Sequence, residues 1–373
     1  MTIIRCQERF CYSLFALIIL ILSSCKEHDS IINCATFSEK WNVESFEIAS
    51  QFSQLDLFFP TLFTGYTVGA GGSIWKTTNG GDEWILINDL NQPNSITSLS
   101  LNSVYFINED EGYVCGIMKD CCFGSELLLG ALLIKTADGG INWQKKYFSN
   151  IHEFHDIIFF DSLHGISLAS MNIGNSLTND SLLITQSGGD HWTGVVFAGK
   201  EIIANTFDYT ESYLRVIVND LNNELCMATS SDQGMSWSFL KLPENAIKIN
   251  FIDDSTGYTT CWSPISPVLA YKTNDAGKTW NLDQISPIDR LSIIHFANRN
   301  EGIIINPIYD YKNVNGEIID VLNSYEVFET ENSGLNWHKS VINKSCSFSG
   351  QYFRVNNSTF YLLDNMLNKF CIK

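Results

Sequence analysis

The sequence predicts an all-β fold, a single β-propeller built of four-stranded blades. Three observations predict it. One phrase, Ser/Thr-x-Asp/Asn-x-Gly-x-x-Trp, recurs six times in one phase along 373 residues. A Phe, an Asn or Asp two residues on, and a Gly four residues after that precede four of the copies. Short β-rich stretches fill the intervals, and aromatic residues reach 13% of the chain against 17% charged, a balance that suits an all-β domain with a large core.

The six phrases end on Trp84, Trp143, Trp192, Trp237, Trp280 and Trp337. Three residues earlier stand Gly81, Gly140, Gly189, Gly234, Gly277 and Gly334. Five residues earlier stand Asn79, Asp138, Ser187, Asp232, Asp275 and Asn332, with Ser once in the acidic place. Seven residues earlier stand Thr77, Thr136, Thr185, Ser230, Thr273 and Thr330. Each position has a physical job. Asp, Asn or Ser accepts hydrogen bonds from backbone N–H groups of its own turn, and the Ser/Thr hydroxyl braces it. Gly supplies a positive φ that a side chain would resist. An apolar stretch precedes the phrase (Leu132 to Ile134, Leu182 to Ile184) and the Trp opens the next strand, so each phrase is a hairpin loop with the indole packed as a wedge at its base.

Upstream, the recurring set is Phe106-Asn108-Gly112, Phe159-Asp161-Gly165, Phe251-Asp253-Gly257 and Phe296-Asn298-Gly302. The first unit has Phe59, Thr61 and Gly65, and the fourth, around Phe207 to Tyr213, is degenerate. One unit therefore reads strand, turn, strand, turn, strand, phrase, strand. The Trp-to-Trp spacings of 59, 49, 45, 43 and 57 residues are near the length of a propeller blade. A lone blade cannot bury both faces, so the units stack into a closed ring. The expected count is seven, with six and eight as the alternatives. Trp41 to Phe46 resembles the stretch after a phrase Trp, and Ser347 to Val355, Ser358 to Leu363 and Phe370 to Ile372 supply further strands. Strands from the two termini would then share and close one blade, which removes an exposed edge.

The first residues form an address. Arg5 and Arg9 precede an apolar run from Leu14 to Leu22, too short for an ordinary spanning helix, and Leu22-Ser23-Ser24-Cys25 follows. This stretch resembles a bacterial lipobox, which implies a signal peptide at 1–24 and lipid attachment at Cys25. Lys26 in place of Asp implies the outer membrane by resemblance to bacterial sorting rules, and Lys26-Glu27 resembles the surface-export tag of some bacterial lipoproteins. The expected organisation is signal peptide 1–24, lipid anchor and tether 25–40, and propeller 41–373, exported and in contact with the membrane through the lipid alone. Removing residues 1–24 takes away two Arg and one Glu, so a net charge of −18 becomes −19. So acidic a surface repels phosphate backbones and excludes nucleic acid as a partner. In an oxidising compartment some cysteines pair, and one of Cys115, Cys121 and Cys122, expected in one loop, could staple it. A zinc site there lacks a nearby His as fourth ligand.

The phrases resemble the Asp-box of sialidases and related β-propellers, also called the BNR repeat. The longer unit, residues 65–81 (GYTVGAGGSIWKTTNGG), is similar to repeats of the photosystem II stability/assembly factor family. That resemblance covers most of residues 41–363. It implies a seven-bladed propeller without catalytic activity, acting as an assembly or binding platform. The basic, Arg-rich patch shared by the photosynthetic members has no counterpart here, since the mature chain holds only Arg215, Arg290, Arg299 and Arg354.

The alternative function is a carbohydrate-binding or glycoside-hydrolysing propeller. Sialidases resemble one another in an Arg triad, the first member of which precedes the first Asp-box, and here no Arg lies between residues 10 and 214. Asp253 and Asp254 are an available carboxylate pair, but the expected reading for them is a solvated turn. His152 and His155 are three apart and on a strand face opposite sides, so no metal site is expected. Gly69-Ala70-Gly71-Gly72 precedes a strand, not a helix, and reads as a tight turn and not as a phosphate cradle. The phrases themselves are expected to be structural, with no cofactor and no catalytic residue assigned. The expected partner is an envelope protein, with a glycan as the alternative. Trp262, Tyr309 and Tyr311 are the aromatics on which a sugar would stack. The insertions 116–130 and 306–320 are the first places to seek function, and Asn315-Gly316 reads as the tip of a long projecting hairpin.

Overall fold

The computed structural model of the chain describes residues 54–89, 97–120, 127–173, 176–203, 207–210, 212–261, 268–288, 293–296, 300–314, 317–332 and 334–343, with terminal strands at 32–33, 41–46, 351–356, 359–363 and 367–372. Every regular element among these residues is a strand. Cys25, Cys121, Cys122, Trp262, Asn315 and Gly316 lie outside the described residues.

Six antiparallel sheets follow one another along the chain, each a meander of neighbouring strands. Blade 1 consists of Gln54–Phe58, Gly65–Gly69, Ser73–Thr77 and Ile85–Asp89. Blade 2 consists of Thr97–Phe106, Gly112–Asp120, Leu127–Thr136 and Gln144–Phe148. Blade 3 consists of Ile151–Phe159, Gly165–Ile173, Ser176–Thr185 and Thr193–Val195. In blade 4 the first strand is split into Lys200–Ile202 and Asp208–Tyr209, both paired with Leu214–Asp220, before Leu225–Ser230 and Ser238–Lys241. Blade 5 consists of Ala246–Phe251, Gly257–Cys261, Val268–Thr273 and Asn281–Ile288, and blade 6 of Ile293–Phe296, Gly302–Val314, Glu317–Thr330 and His338–Asn343. The split strand of blade 4 coincides with the degenerate fourth unit of the sequence.

One register runs through all six blades. The first residue of each phrase pairs with the residue that opens the second strand: Gly65↔Thr77, Gly112↔Thr136, Gly165↔Thr185, Leu214↔Ser230, Gly257↔Thr273 and Gly302↔Thr330. Because the side-chain period of a strand is two, this common register puts equivalent residues on equivalent faces in each blade.

The Phe…Gly…Trp spacing follows from packing inside a blade. The Phe ring lies flat across the Gly: a Cβ at Gly112 would come within 2.3 Å of the Phe106 ring, and Gly65, Gly165 and Gly257 are crossed by Phe59, Phe159 and Phe251 in the same way. Ring and indole lie nearly perpendicular, as in Phe106–Trp143 at 6.4 Å and 88° and Phe251–Trp280 at 6.0 Å and 79°. Edge-to-face geometry suits the ring quadrupoles. Blade 4 lacks the Phe, and Phe197 from the preceding connection takes the contact with Trp237 at 5.3 Å and 89°. The phrase Trp precedes the fourth strand by one residue, where the sequence reading had it open that strand.

The core lies in the seams. One buried apolar cluster runs from Phe58 in blade 1 through Val218 and Ala228 in blade 4. A second joins Ile217 and Met227 of blade 4 to Phe251 and Cys261 of blade 5, and a third joins Tyr258 and Ala270 of blade 5 to Ile304 and Phe328 of blade 6. Each fully buried side chain of this size contributes about 1.5–3 kcal/mol.

A further sheet joins the two ends of the chain, in the order Ile32–Asn33, Trp41–Phe46, Leu367–Ile372, Thr359–Leu363 and Gln351–Asn356. Its N- and C-terminal strands pair antiparallel from Trp41↔Ile372 to Phe46↔Leu367. It carries no phrase. Six phrase-bearing blades are therefore established, one fewer than the seven expected. Residues 32–33, inside the stretch 25–40 expected to be a bare tether, pair with Ser45 and Glu44.

In the insertion 116–130 the described residues belong to paired strands, and those of 306–320 form the two strands of a long hairpin, as expected there. Cys115 lies buried within the strand Gly112–Asp120, which pairs with Leu127–Thr136, and not in the loop expected for it. Burial also pushes the Cys261 thiol up to about 11.

Candidate functional site

The repeated phrases form six corners between third and fourth strands, and each corner closes on itself. In blade 2, Thr136 Oγ1 donates to Asp138 Oδ1 at 2.9 Å and accepts the Gly140 N–H at 2.9 Å, while Asp138 Oδ1 accepts the Asn142 N–H at 2.8 Å. The same three bonds hold Thr273–Asp275–Gly277 with Thr279, Ser230–Asp232–Gly234 with Ser236, Thr77–Asn79–Gly81 with Glu83, and Thr330–Asn332–Gly334 with Asn336. In blade 3 the hydroxyl of Ser187 stands in for the carboxylate: it lies 3.4 Å from Thr185 Oγ1 and accepts the His191 N–H, while Gly189 N–H donates to Thr185. The Trp237 indole N–H donates to the Gly234 carbonyl at 2.8 Å.

These bonds act on the acidic members. The Asn142 backbone N–H, with the Asn142 side chain, holds the Asp138 carboxyl below its ordinary range. The Ser236 hydroxyl and N–H do the same for Asp232, and Thr279 brings Asp275 down to about 2. A carboxylate whose lone pairs are engaged by its own turn is a poor ligand for anything else.

The corners of blades 2 to 5 also lean on the blade before them. Gly277 has φ 86°, and a Cβ there would meet Met227 of blade 4 at 2.4 Å. Gly140, Gly189 and Gly234 face Ile87, Leu133 and Ile166 of their preceding blades in the same way. A corner thus needs Gly twice over, for its backbone conformation and for the approach of the neighbouring blade.

Two further sets of inter-blade contacts were not legible in the repeat. Asp56 of blade 1 accepts the Val104 N–H of blade 2 at 2.7 Å, Asp156 of blade 3 accepts the Phe207 N–H of blade 4 at 3.1 Å, and Asp208 of blade 4 accepts the Phe251 N–H of blade 5 at 2.9 Å. The second set is a stack. Tyr66 lies on Phe106 at 3.9 Å and Tyr113 on Phe159 at 3.5 Å, each reaching the next blade. Arg215 occupies the equivalent position in blade 4, one residue past the start of the second strand, with its guanidinium 3.7 Å from the Phe251 ring centre. Its Nη2 donates to the Asp254 carbonyl at 3.1 Å, as the Tyr113 hydroxyl donates to the Ser162 carbonyl at 3.3 Å. Arg215 is wholly buried beside Asp208, with Nη1 3.5 Å from Oδ2. Burial pushes Asp208 up and Arg215 down, each opposed by the other's charge. Burial, with Glu111 and Asp161, takes the Tyr113 hydroxyl up to about 12.

The other candidates are engaged as well. Asp253 Oδ1 accepts from Ser255 and Thr256 in its own turn, and Asp254 Oδ1 accepts from Thr210 and Ser212 of blade 4. His155 Nε2 lies 2.6 Å from Ser170 Oγ and His152 is buried. Among the described residues no three His, Cys, Asp or Glu side chains gather as a metal would require. Gly71 and Gly72 have positive φ in the turn between Gly65–Gly69 and Ser73–Thr77, and Gly71 N–H donates to the Leu99 carbonyl of blade 2. The signal for the missed seam residues was faint. Asp56 and Asp156 stand three residues before Phe59 and Phe159, but Ser103, Lys248 and Ile293 hold that place in other units.

No family model matches the chain, and no curated protein matches it. Solved structures do. The chain is similar to YCF48 bound to D1 peptide, with TM-score 0.61 and 14% identity over 92% of this chain and 100% of that one. It is also similar to YCF48 from Cyanidioschyzon merolae, with TM-score 0.56 and 13% identity over 89% of this chain and 99% of that one. Identities this low establish the shared β-propeller fold and nothing finer.

Proposed function

We propose that the protein is a non-catalytic protein-binding platform, exported and tied to the bacterial envelope through lipid on Cys25. The observation that carries the reading is that a structure of the same fold, spanning the full length of the YCF48 chain, holds a peptide. The similarity of residues 65–81 to repeats of an assembly-factor family points the same way. The residues most tempting as ligands support it too. The six corners spend their acceptors on their own turns, and Arg215 is spent on a seam. We assign the corners, Thr77 to Trp84 and their five counterparts, an architectural role. The terminal sheet completes the ring as a seventh blade in this reading, since pairing Trp41–Phe46 with Leu367–Ile372 joins the chain ends and removes an open edge. The propeller domain then spans 41–373, behind a signal peptide 1–24, with the outer membrane as its site.

Cross-linking in intact cells tests the platform, with a Cys25→Ala variant testing the anchor. A stoichiometric protein partner is expected, and the variant should leave the membrane fraction. Binding on a glycan array or release of sugar, with no protein partner, would replace this reading by the carbohydrate one.

A further inference from the structure

Strand alternation gives the molecule two unlike ends. In each of the six blades the turn between first and second strands and the corner between third and fourth lie at one end, and the connection between second and third lies at the other. Backbone bonds tie the two loops of the corner end together. Gly80 N–H donates to the Phe63 carbonyl at 2.8 Å in blade 1, and Gly139 N–H to the Asp110 carbonyl at 2.9 Å in blade 2. Two properties coincide at this end of blades 1 and 2. The first is apolar exposure: Phe63 is 62% exposed, Ile85 63% and Ile141 81%, with Leu62 and Leu86 exposed beside them. Exposed apolar residues scattered singly are ordinary, but these are neighbours. Ile85 pairs with Lys76, and Lys76 Nζ donates at 2.8 Å to the carbonyl of Gly139, two residues before Ile141. A Cβ on Gly140 would meet Ile87 at 2.8 Å, so the blade 2 corner sits against the strand Ile85–Asp89.

The second property is charge. The loops 59–65, 78–84, 106–112 and 137–143 hold Asp82, Glu83, Glu109, Asp110, Glu111 and Asp138, and contain no Lys, Arg or His. In blades 3 and 5 the same loops contain His164, His191 and Lys278. Lys135 and Lys146 of blade 2 reach across to Asp190 of blade 3, and the Lys76 ammonium is held by the Gly139 carbonyl. Glu109 and Asp110 are exposed at the tip of their turn, whose Asn108 side chain accepts the Asp110 and Glu111 N–H groups. A neighbour feels their field: burial, then Asp110 and Glu109, pushes the Tyr66 hydroxyl up.

We propose that the corner end of blades 1 and 2 docks a basic, amphipathic segment of a partner protein, with Phe63, Ile85 and Ile141 against its apolar side and Glu109 and Asp110 against its Lys or Arg. The proposal rests on the platform reading and names its surface. An apolar centre with a charged rim is the ordinary anatomy of a protein interface, in which burial supplies affinity and charge selects the partner. Charge decides the occupant. A second copy of this chain would bring the same carboxylates to the contact, and an anionic lipid surface would be repelled, so neither fits.

The test uses the full chain in the cells that make it. A photoreactive benzoylphenylalanine replaces Ile141 in one version and Leu221 in another, the latter exposed in the turn between Leu214–Asp220 and Leu225–Ser230 at the opposite end. A protein adduct at 141 and none at 221 is expected, and the contacting segment, identified by mass spectrometry, should carry net positive charge. Glu109→Lys combined with Asp110→Lys should lower the adduct about tenfold or more, because like charges across an interface are strongly disfavoured. Both side chains are exposed, so thermal unfolding should stay where it was. Glu109→Gln with Asp110→Asn, which keeps the size of both side chains, should give a smaller loss in the same direction. A contacting segment without net positive charge, an adduct unchanged in both double variants, or an adduct of the chain with itself overturns the partner class. An adduct at 221 alone, or equal adducts at both positions, overturns the choice of end and leaves the platform standing. Adducts at neither position overturn both.

Discussion

A single hydroxyl organises each corner. Thr136 Oγ1 serves two groups at once, accepting from the buried Gly140 N–H and donating to Asp138. Thr136→Val keeps shape and volume but orphans that N–H, which should cost about 1–3 kcal/mol in urea unfolding; a change within experimental error would remove the hydroxyl's assigned role. The acidic members add a pH dependence. Asp138, Asp232 and Asp275 titrate lower in the folded chain than in the unfolded one, where Asp titrates near ~3.9. As pH falls, the unfolded state takes up protons first, so the stability these groups contribute is complete above that value and is lost toward about 2, where Asp275 titrates. Asp208 works in the opposite sense, because burial raises it and its ionisation opposes folding. Asn stands in the acidic place in two corners, at Asn79 and Asn332, and accepts the same bonds. Asp275→Asn should therefore leave stability at pH 7 nearly unchanged and flatten the decline between pH 5 and 2, read as urea midpoints against pH.

At the scale of blades, the seams carry the burial. Tyr66, Tyr113 and Arg215 do one job, reaching from the second strand of one blade onto the Phe of the next. This explains why Arg215, one of six arginines in the chain, is wholly buried. Arg215→Ala strands Asp208 and opens a cavity, and should cost about 3–5 kcal/mol. Arg215→Tyr combined with Asp208→Asn restores a ring over Phe251 and removes the unpaired charge, and should recover most of that loss in thermal unfolding. If the double variant is as unstable as Arg215→Ala, the equivalence of Arg and Tyr at this seam is wrong. Asp56 and Asp156 tie neighbouring first strands through single N–H groups. Such bonds are directional, which fixes the offset between sheets that apolar packing alone leaves free to slide.

For the whole molecule, closure is the question on which stability turns. Six sheets in common register need both ends of the row covered, and the terminal strands pair with each other as a closing sheet would. Removing residues 26–50 should leave that sheet without Trp41–Phe46, lower the unfolding temperature by roughly 5 °C or more for each few kcal/mol lost, and open the C-terminal strands to limited proteolysis. A truncated chain that melts and digests like the full one would show that the terminal sheet does not close the ring. On the platform reading, a net charge of −18 favours basic partners. Association with a basic protein should slow as salt rises from 0.05 to 0.5 M, because screening shortens the reach of the field.

The repeat determined by itself what is local. Thr-x-Asp-x-Gly-x-x-Trp specifies a corner because its hydrogen bonds all lie within five residues, and Phe…Gly…Trp specifies how ring, backbone and indole stack inside one sheet. Strand, blade and corner could therefore be read from spacing alone. Tertiary structure decided what depends on a second blade. Asp56, Asp156 and Asp208 look like any other acidic residue until the neighbouring N–H is in place, and Arg215 looks like a candidate clamp until Phe251 lies beneath it. It also turned the apparent loop around Cys115 into paired strands and Cys115 into a core residue. The physical reason is the same in each case: the partner group lies on another blade, often about fifty residues away, and periodicity within one unit carries no record of what stands opposite it.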